Sequence, residues 1–321
     1  MKKLLTTAFY FLIPVFIFIF LAEWFLTGQL KQSREGEYAV WNDIFNSEVN
    51  SEIIVHGSSR AMVHMDSQII SDSLQVSCYN LGINGHNFWL QYLRHKELLK
   101  YNIKPKLIIH SVDVFTLTKR PDLFNAEQFL PYMLNNEEIE YFTNSYKGFK
   151  YYDYHIPLIR YTGKYKTIGK VFNELINSEP PDSCRQRGYA PQDHTWNDDL
   201  EKAKLKFPDF KVQIDTASYK LFDEYIRECL AKDIEVVIVY TPEFIEGQDF
   251  VKNRSEILGI FRNFAEQYHL KFLDYSSDAI SYNKDYFYNA SHLNRKGSEL
   301  FTKKLVYDLK KYKSNKSKVL N

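Results

Sequence analysis

The sequence has few cysteines, almost no net charge and a single long apolar run. Its three cysteines, Cys78, Cys184 and Cys229, lack the spacing of a metal site or redox pair, and no disulfide framework is implied. Cys78 falls in a predicted strand and Cys229 in a predicted helix, which favours burial as small apolar side chains. The formal net charge is +1, and no nucleic-acid-binding motif is present, so we expect no nucleic-acid partner.

The one long uncharged run spans residues 4–22 and follows Lys2 and Lys3. As a helix it is about 28 Å long, close to the thickness of a bilayer's hydrocarbon core. Trp24 and Phe25 follow it, where interfacial aromatic residues belong. A cleaved signal peptide is the alternative, although its apolar region is normally shorter. The sequence therefore predicts a single-pass cell-membrane protein with a cytoplasmic N-terminus and an extracytoplasmic main domain.

The chain is long enough, at 321 residues of which 45% are hydrophobic, to bury a substantial core. Aromatic residues make up 16% of it. A sugar-binding surface is one explanation for this share. A genome rich in A and T, which favours Phe and Tyr codons, is the other.

Predicted strands alternate with predicted helices from residue 51 onward. The strands fall at 53–57, 76–80, 106–112, 234–240 and 271–274, and the helices at 61–74, 87–101, 217–232, 250–269 and 296–312. This alternation predicts right-handed βαβ units, and therefore a three-layer α/β/α sandwich around a parallel, flavodoxin-like sheet. The predicted transmembrane helix precedes it.

We divide the chain into an anchor at 1–27, a linker at 28–50, an α/β domain at 51–313 and a frayed tail at 314–321. A short helix is expected within the linker, around 38–45. The α/β domain contains a long insertion, about 114–215, with predicted helices at 135–146 and 165–175 and an irregular segment at 178–199. An insertion at this edge of a sheet is typical of a lid, and equally of a structural flap.

The first candidate site follows the first strand, where residues 57–60 read Gly-Ser-Ser-Arg. A tight turn between a buried strand and a helix exposes a serine hydroxyl and aims backbone N–H groups at one point. That arrangement suits a nucleophile with half of an oxyanion hole. The alternative is that Ser58 or Ser59 only caps the helix.

Two further stretches carry polar groups to the same edge of the predicted sheet. Gly82 and Gly85 follow the second strand, and glycine there permits a positive φ and close backbone approach. This turn lacks the third glycine of a dinucleotide site. His292 lies just before the last helix, three residues after Asn289, so the two side chains can face the same way.

These stretches together resemble the SGNH or GDSL-type serine esterases and acyltransferases. Four blocks of that family occur in order, over residues 51–313: the Gly-x-Ser block at 57–60, the Asn-to-Gly turn at 80–85, a third block at 111–113 and an ending at 289–292. Together with the predicted anchor, they look most like the envelope subgroup. That subgroup includes the teichoic acid D-alanyl transfer protein and the exopolysaccharide O-acetyltransferases.

The resemblance implies that Ser59 is the nucleophile, His292 its general base and Asn289 the group that orients the histidine. The N–H groups of Ser59 and Gly85 would form the oxyanion hole, with Asp113 at the third oxyanion position. Two residues depart from the family pattern. Asp113 stands where the family has an asparagine, and a carboxylate there would repel the developing charge unless it points away, is protonated or pairs with Arg60.

The second departure is Asn289, which replaces the aspartate of the family's histidine block. In serine proteases the corresponding change costs about 10⁴ in rate. The site is therefore either weakened or completed by another carboxylate. The nearest in sequence are Asp274, Asp278 and Asp285.

Two functions remain open from the sequence. The first is an enzyme, a transferase or a hydrolase, that passes an acyl group through Ser59 to or from an envelope glycan, with a multi-pass membrane O-acyltransferase as a possible partner. The second is a catalytically weak or inactive accessory protein of the same fold that binds the glycan or that acyltransferase. No cofactor is predicted. A metal site at His56, His64, His86 or His292 is disfavoured because their spacing is not that of ligands.

Overall fold

The computed structural model of the protein describes residues 2–176 and 185–319, with the side chains of residues 2, 4–8 and 315–319 left undescribed. Residues 178–184 of the predicted irregular segment, which include Cys184, lie outside the described residues.

A five-stranded parallel sheet forms the centre of the α/β part of the chain, with strand order β2-β1-β3-β4-β5. The strands are β1 Ile53–Gly57, β2 Cys78–Asn80, β3 Leu107–Val112, β4 Glu235–Tyr240 and β5 Lys271–Asp274. This is the flavodoxin-like order, whose reversal point lies between β1 and β3. The predicted fold class is confirmed.

Helices account for most of the remaining regular structure. They are α1 Lys2–Leu30, α2 Gly36–Phe45, α3 Ser59–His64, α4 Ser67–Leu74, α5 Phe88–Tyr101, α6 Glu137–Thr143, α7 Tyr151–His155, α8 Tyr165–Ile176, α9 Asp199–Lys206, α10 Thr216–Ala231, α11 Ile245–Phe250, α12 Arg254–Gln267 and α13 Arg295–Val319. Single 3₁₀ turns lie at Ala126–Phe129, Ile159–Tyr161, Ala279–Tyr282 and Lys284–Tyr286. A two-stranded antiparallel hairpin, β6 Phe287–Asn289 and β7 His292–Leu293, precedes α13.

Alternate residues of the strands face two helical layers. On one face, Val55 and Ile109 join a core with Leu305 of α13, which packs on α3 and α4. On the other face, His56 and His110 lie against α5 and α10. The sheet is therefore covered on both sides, as a parallel sheet requires.

Three buried histidines lie in the second of these layers. The rings of His56 and His110 are stacked with centroids 5.5 Å apart, and His95 of α5 lies 5.8 Å from His56. Burial lowers the pKa of His56, takes that of His95 to about 4 and that of His110 to about 3. All three are therefore uncharged at neutral pH.

Several predicted helix bounds were wrong. The helix predicted at 61–74 is two helices, because Asp66 accepts hydrogen bonds from the N–H groups of Gln68 and Ile69 and so caps a new helix. The helix predicted at 250–269 corresponds to α12 at Arg254–Gln267, and Phe250 ends the separate helix α11, which was not predicted. The short hairpin was not predicted either. The tail predicted to fray from residue 314 continues α13 through Val319. Cys78 and Cys229 are buried free thiols in a strand and a helix, as predicted.

The chain divides into two compact units, Met1–Asn42 with Pro121–Cys184, and Asp43–Arg120 with Arg185–Asn321. This division cuts across the predicted linker 28–50, which contains α2, and across the predicted insertion 114–215. Within α1, the segment Phe9–Leu30 is long and apolar enough to cross a membrane. All the site residues predicted from the sequence lie in the second unit.

Gly57 ends β1 at a position that only glycine fits. Its φ is +140°, and an added Cβ would lie 2.6 Å from the carbonyl oxygen of Ser111 on β3. We expect Gly57→Ala to lower the free energy of unfolding by about 2 kcal/mol or more, from backbone strain and the clash. Unfolding midpoints of the full chain measure this.

Gly259 provides the matched control, because it lies inside α12 with nothing within 4 Å of an added Cβ. Gly259→Ala is expected to be neutral or to stabilise by up to about 1 kcal/mol. Equal midpoints for the two variants would contradict this account of the β1 turn.

Candidate active site

The two adjacent serines after β1 have different partners. Ser58 is the N-cap of α3: its Oγ accepts from the N–H of Arg60 at 3.3 Å and donates to Asp113 Oδ2 at 2.5 Å. Ser59 is the first residue of α3, and its Oγ lies 2.8 Å from Nε2 of His292. The capping and the candidate-nucleophile interpretations of this turn therefore apply to different residues.

Asn289 sets the orientation of His292. Its Oδ1 accepts from the backbone N–H groups of Ser291 at 3.0 Å and His292 at 2.9 Å, and lies 3.0 Å from His292 Nδ1. Because two backbone donors require an oxygen there, the amide orientation is determined. Nδ1 must then carry the proton, which leaves the Nε2 lone pair facing the Ser59 hydroxyl. The structure thus brings together the three residues predicted as catalytic.

His64 holds the same loop from the opposite side. Its Nε2 accepts from the N–H of Leu293 at 3.0 Å, and its Nδ1 lies 2.8 Å from Thr241 Oγ1. The side chain is fully buried, and burial lowers its pKa well below the ordinary value. It is therefore a neutral group that fixes the backbone directly after His292. This role of His64 was not predicted, since nothing in the local sequence signals a contact 229 residues away.

Arg60 and Glu243 form a buried ion pair beside the histidine. Arg60 Nη1 lies 3.3 Å from Glu243 Oε2, and its Nε donates to Thr241 Oγ1 at 3.1 Å. Glu243 also accepts from Tyr240 Oη at 2.5 Å. Arg60 was predicted as a possible partner of Asp113, and Glu243 was not predicted because it lies outside all four family blocks.

Burial lowers the pKa of His292 to about 4, with a smaller contribution from the positive charge of Arg60. The ring of Tyr288 stacks on the imidazole, with centroids 5.4 Å apart and planes at 14°. His292 is therefore neutral, and able to accept a proton, over the whole range above about pH 4.

The side chain of Asp113 accepts hydrogen bonds from two neighbouring turns. Its Oδ1 accepts from the N–H of Phe115 at 2.7 Å, and its Oδ2 accepts from Ser58. Its own N–H donates to Thr116 Oγ1 at 2.8 Å. Both carboxylate oxygens are acceptors that fix the β1 and β3 turns to each other. The side chain is not a donor for an oxyanion.

The turn after β2 is held against α3 by Asn80. Its Nδ2 donates to the carbonyl oxygens of Ala61 and Met65 at 2.7 and 2.8 Å, and its Oδ1 accepts from the N–H of Gly82. Gly85 follows with φ +71° and lines the same cavity as Ser59. The oxyanion role of these two N–H groups stays a prediction.

A cavity of about 330 Å³ opens over the Ser59–His292 pair. Its lining includes the candidate catalytic pair, the β2 turn, the loop after β3 and the acidic end of the buried ion pair: Ser58, Ser59, Arg60, Gly85, His86, Asn87, Asp113, Val114, Phe115, Thr116, Thr118, Arg120, Glu243, Ser291 and His292. These residues all belong to one compact unit. The carboxyl edge of the sheet is where ligands bind in open α/β folds.

The carboxylates considered as substitutes for the missing aspartate have other partners. Asp274 accepts from Arg262 and Ser276, and Asp278 caps the turn at Ile280. The exposed Asp285 contacts the hairpin through its backbone carbonyl, which accepts from Asn294 Nδ2. In the part of the chain that the structure describes, the acceptor for His292 Nδ1 is the amide oxygen of Asn289. Over the same residues, no group of three or more His, Cys, Asp and Glu side chains is arranged to hold a metal ion.

No protein-family model and no curated protein matches this sequence. Among solved structures the chain is similar to an acetyl xylan esterase, with 14% identity over 79% of this chain and 96% of that one, at a TM-score of 0.40. It is also similar to a Streptococcus pneumonia protein provisionally described as a platelet activating factor, with 13% identity over 91% and 97% of the two chains and a TM-score of 0.38. A provisional GDSL-like lipase from Parabacteroides merdae has 12% identity over 79% and 94%, with a TM-score of 0.34. Likenesses at these identities and TM-scores do not bear on the function of this chain.

Replacing Asn289 with aspartate should strengthen the base. Asn289→Asp keeps an acceptor for all three N–H groups and adds a negative charge, which favours the imidazolium and raises the pKa of His292 above its present value of about 4. The acid limb of the pH–rate profile for p-nitrophenyl acetate should move to higher pH. The plateau rate should rise, with about 10⁴-fold as the ceiling set by the reverse change in serine proteases.

Asn289→Ala is the control, since it removes the acceptor and should lower the rate. An acid limb at the same pH in Asn289→Asp and wild type would contradict this assignment of the histidine's partner.

His64→Ala should leave the buried N–H of Leu293 without an acceptor, at a cost of about 1–3 kcal/mol. Because the loop then no longer holds His292 in place, we expect kcat to fall roughly 10- to 100-fold with little change in KM. His64→Gln, whose amide oxygen reaches the Nε2 position, should restore part of the loss. If His64→Ala retains wild-type kcat, His64 does not position the base.

Proposed function

We propose that the protein is a serine esterase or O-acyltransferase that works through an acyl-Ser59 intermediate. The observation that carries the proposal is the 2.8 Å contact between Ser59 Oγ and His292 Nε2, with the lone pair of Nε2 directed by Asn289, at the base of an open cavity. A hydroxyl within hydrogen-bond reach of an oriented, neutral imidazole is the minimum arrangement for nucleophilic catalysis at serine.

In the first half-reaction, Ser59 Oγ attacks the carbonyl carbon of an ester while its proton passes to His292 Nε2. The tetrahedral intermediate collapses, the proton moves from Nε2 to the leaving alkoxide, and acyl-Ser59 remains. In the second half-reaction, water or an acceptor hydroxyl gives its proton to Nε2 and attacks the acyl group, and Ser59 recovers its proton. Water yields hydrolysis and a sugar hydroxyl yields transfer.

The electrostatics of the site favour a short-lived imidazolium. Asn289 accepts a hydrogen bond but adds no negative charge, and the Arg60 guanidinium beside the site opposes protonation. A proton taken from Ser59 is therefore passed on readily to the leaving group. The cost is a weaker base than a histidine paired with a carboxylate.

A glycan is the substrate class that we propose. Phe115 lines the cavity and is 41% exposed, and its ring lies 6.1 Å from that of Phe210. Phe207, 45% exposed, and Phe250 continue this aromatic surface, with ring centroids 5.8 and 5.1 Å from Phe210. Aromatic faces carry negative partial charge and receive the C–H faces of a sugar ring. The resemblance to the envelope subgroup supports the same class.

The proposed location is the outer face of the cell membrane. Support comes from the apolar segment Phe9–Leu30 and from the lysines at positions 2 and 3, which favour a cytoplasmic N-terminus. In this arrangement the α/β unit meets glycan outside the membrane. A multi-pass membrane O-acyltransferase is the proposed donor partner, on the family resemblance alone.

A second candidate function is the non-catalytic accessory protein. Two observations favour it: Asn289 supplies no charge to the histidine, and Asp113 supplies no oxyanion donor. In that case the cavity binds glycan or acyltransferase without reaction at Ser59.

Labelling with an alkyl fluorophosphonate separates the two functions. Wild type should react covalently, Ser59→Ala should fall to background, and His292→Ala should react far more slowly because the hydroxyl loses its base. Ser58→Ala is the neighbouring control and should still label. Equal labelling of wild type and Ser59→Ala would rule out Ser59 as an activated nucleophile. Unchanged glycan acylation in cells carrying Ser59→Ala, together with its loss on removal of residues 1–27, would establish the accessory function.

A further inference from the structure

Helix α8 has its apolar face on the outside. Five side chains spaced three or four residues apart form one stripe on this helix: Tyr165, Ile168, Phe172, Leu175 and Ile176. Tyr165 and Ile176 are 81% and 80% exposed, and Phe172 is 50% exposed. The buried positions of α8 are Thr167 and Val171, a small and partly polar face. A surface helix normally has the opposite arrangement.

Polar contacts hold α8 against residues 33–35, just beyond the C-terminal end of α1 and within the same compact unit. Lys170 Nζ lies 2.5 Å from Glu35 Oε1, and Ser33 Oγ donates to Glu174 Oε1 at 2.9 Å. The rings of Phe172 and Phe25 have centroids 6.0 Å apart.

Phe172 lies in the middle of the stripe and contacts Phe25 within α1, whereas Lys170 and Glu174 contact residues just beyond the end of α1. The stripe therefore lies beside the C-terminal turns of α1.

Glu23 follows directly after the uncharged run at residues 4–22 of α1. It forms an ion pair with buried Arg160, accepts from the N–H of Leu158 at 2.8 Å and from Thr27 Oγ1 at 2.8 Å. The preceding uncharged residues 4–22 would cross about 28 Å as a helix. Trp24 is 74% exposed at the boundary, where an interfacial tryptophan is expected. Phe25, which contacts α8, lies two residues beyond Glu23.

We propose that the α8 stripe inserts into the membrane interface beside α1, as a second contact with lipid. This inference rests on the proposed membrane anchoring of α1. Lipid acyl chains are the occupant because the stripe continues the exposed apolar surface of α1 at the level of Trp24, where a helix lying in the interface buries its apolar face.

The test uses the full chain in nanodiscs of phosphatidylcholine and phosphatidylglycerol that contain nitroxide-labelled lipid. An environment-sensitive fluorophore is attached to Ile176→Cys in a chain that also carries Cys184→Ser. Cys78 and Cys229 can stay because both are buried. Ile13→Cys, within the proposed span, is the positive control. Lys166→Cys, on the same helix but off the stripe, is the negative control. We expect quenching at Ile176 to be several-fold stronger than at Lys166 and to approach that at Ile13.

A charged variant tests the stripe itself. Leu175→Glu with Phe172→Glu should reduce the quenching at position 176 to the level at Lys166, while quenching at Ile13 and fluorophosphonate labelling of Ser59 stay at wild-type levels. Retained labelling shows that the unit carrying Ser59 is folded, and retained quenching at Ile13 shows that α1 is still inserted.

The outcomes separate the two proposals. Quenching at Ile13 without quenching at Ile176 overturns the proposed lipid contact of α8 and leaves the membrane anchor intact. If the label at Ile176 is then blue-shifted, the stripe is covered by protein instead of lipid. Absence of quenching at Ile13 overturns the membrane anchoring itself. Loss of Ser59 labelling in wild type bears on the enzymatic proposal alone.

Discussion

The site depends on the docking of residues 289–293 against α3. Two neutral groups hold this short hairpin, the amide oxygen of Asn289 from within and the imidazole of His64 from the opposing helix. Each contact uses a backbone N–H of the hairpin, so the position of His292 is fixed by main-chain bonds rather than by its own side chain alone. The 2.8 Å approach to Ser59 follows from these bonds. Without them the serine and the histidine are merely neighbours at one edge of a sheet.

The charged side chains beside this hairpin are engaged by other groups. Arg60 is matched by Glu243, and Asp113 is engaged by the hydroxyl of Ser58 and the N–H of Phe115. The Ser59–His292–Asn289 line itself carries no charge at neutral pH. Such a line moves a proton without an ionised partner, because burial and the nearby Arg60 keep the imidazole uncharged.

Much of the site was predictable because its signals are local. The small-residue turn after β1, the glycine turn after β2 and the Asn289–His292 spacing each lie within a few residues, and the alternation of strands and helices places their ends at one edge. The roles of His64 and Glu243 were not predictable, since each acts through a partner about 180 or more residues away in the chain. The residues by themselves do not separate the two serines, because the difference depends on Asp113 and His292, which only the fold brings near. The family resemblance alone pointed to Ser59.

The three buried imidazoles against the sheet limit the range of pH over which the fold is stable. In the folded chain His56, His95 and His110 remain unprotonated well below the ordinary histidine pKa, whereas the unfolded chain takes up these protons near pH 6.5. The unfolded state then binds more protons, so stability is full above about pH 6.5 and declines as the pH falls, by up to about 1.4 kcal/mol per histidine for each pH unit. Acidification would therefore lower the stability of the fold before it protonates His292. The buried histidines, and not the candidate active site, set the tolerance of the protein to acid.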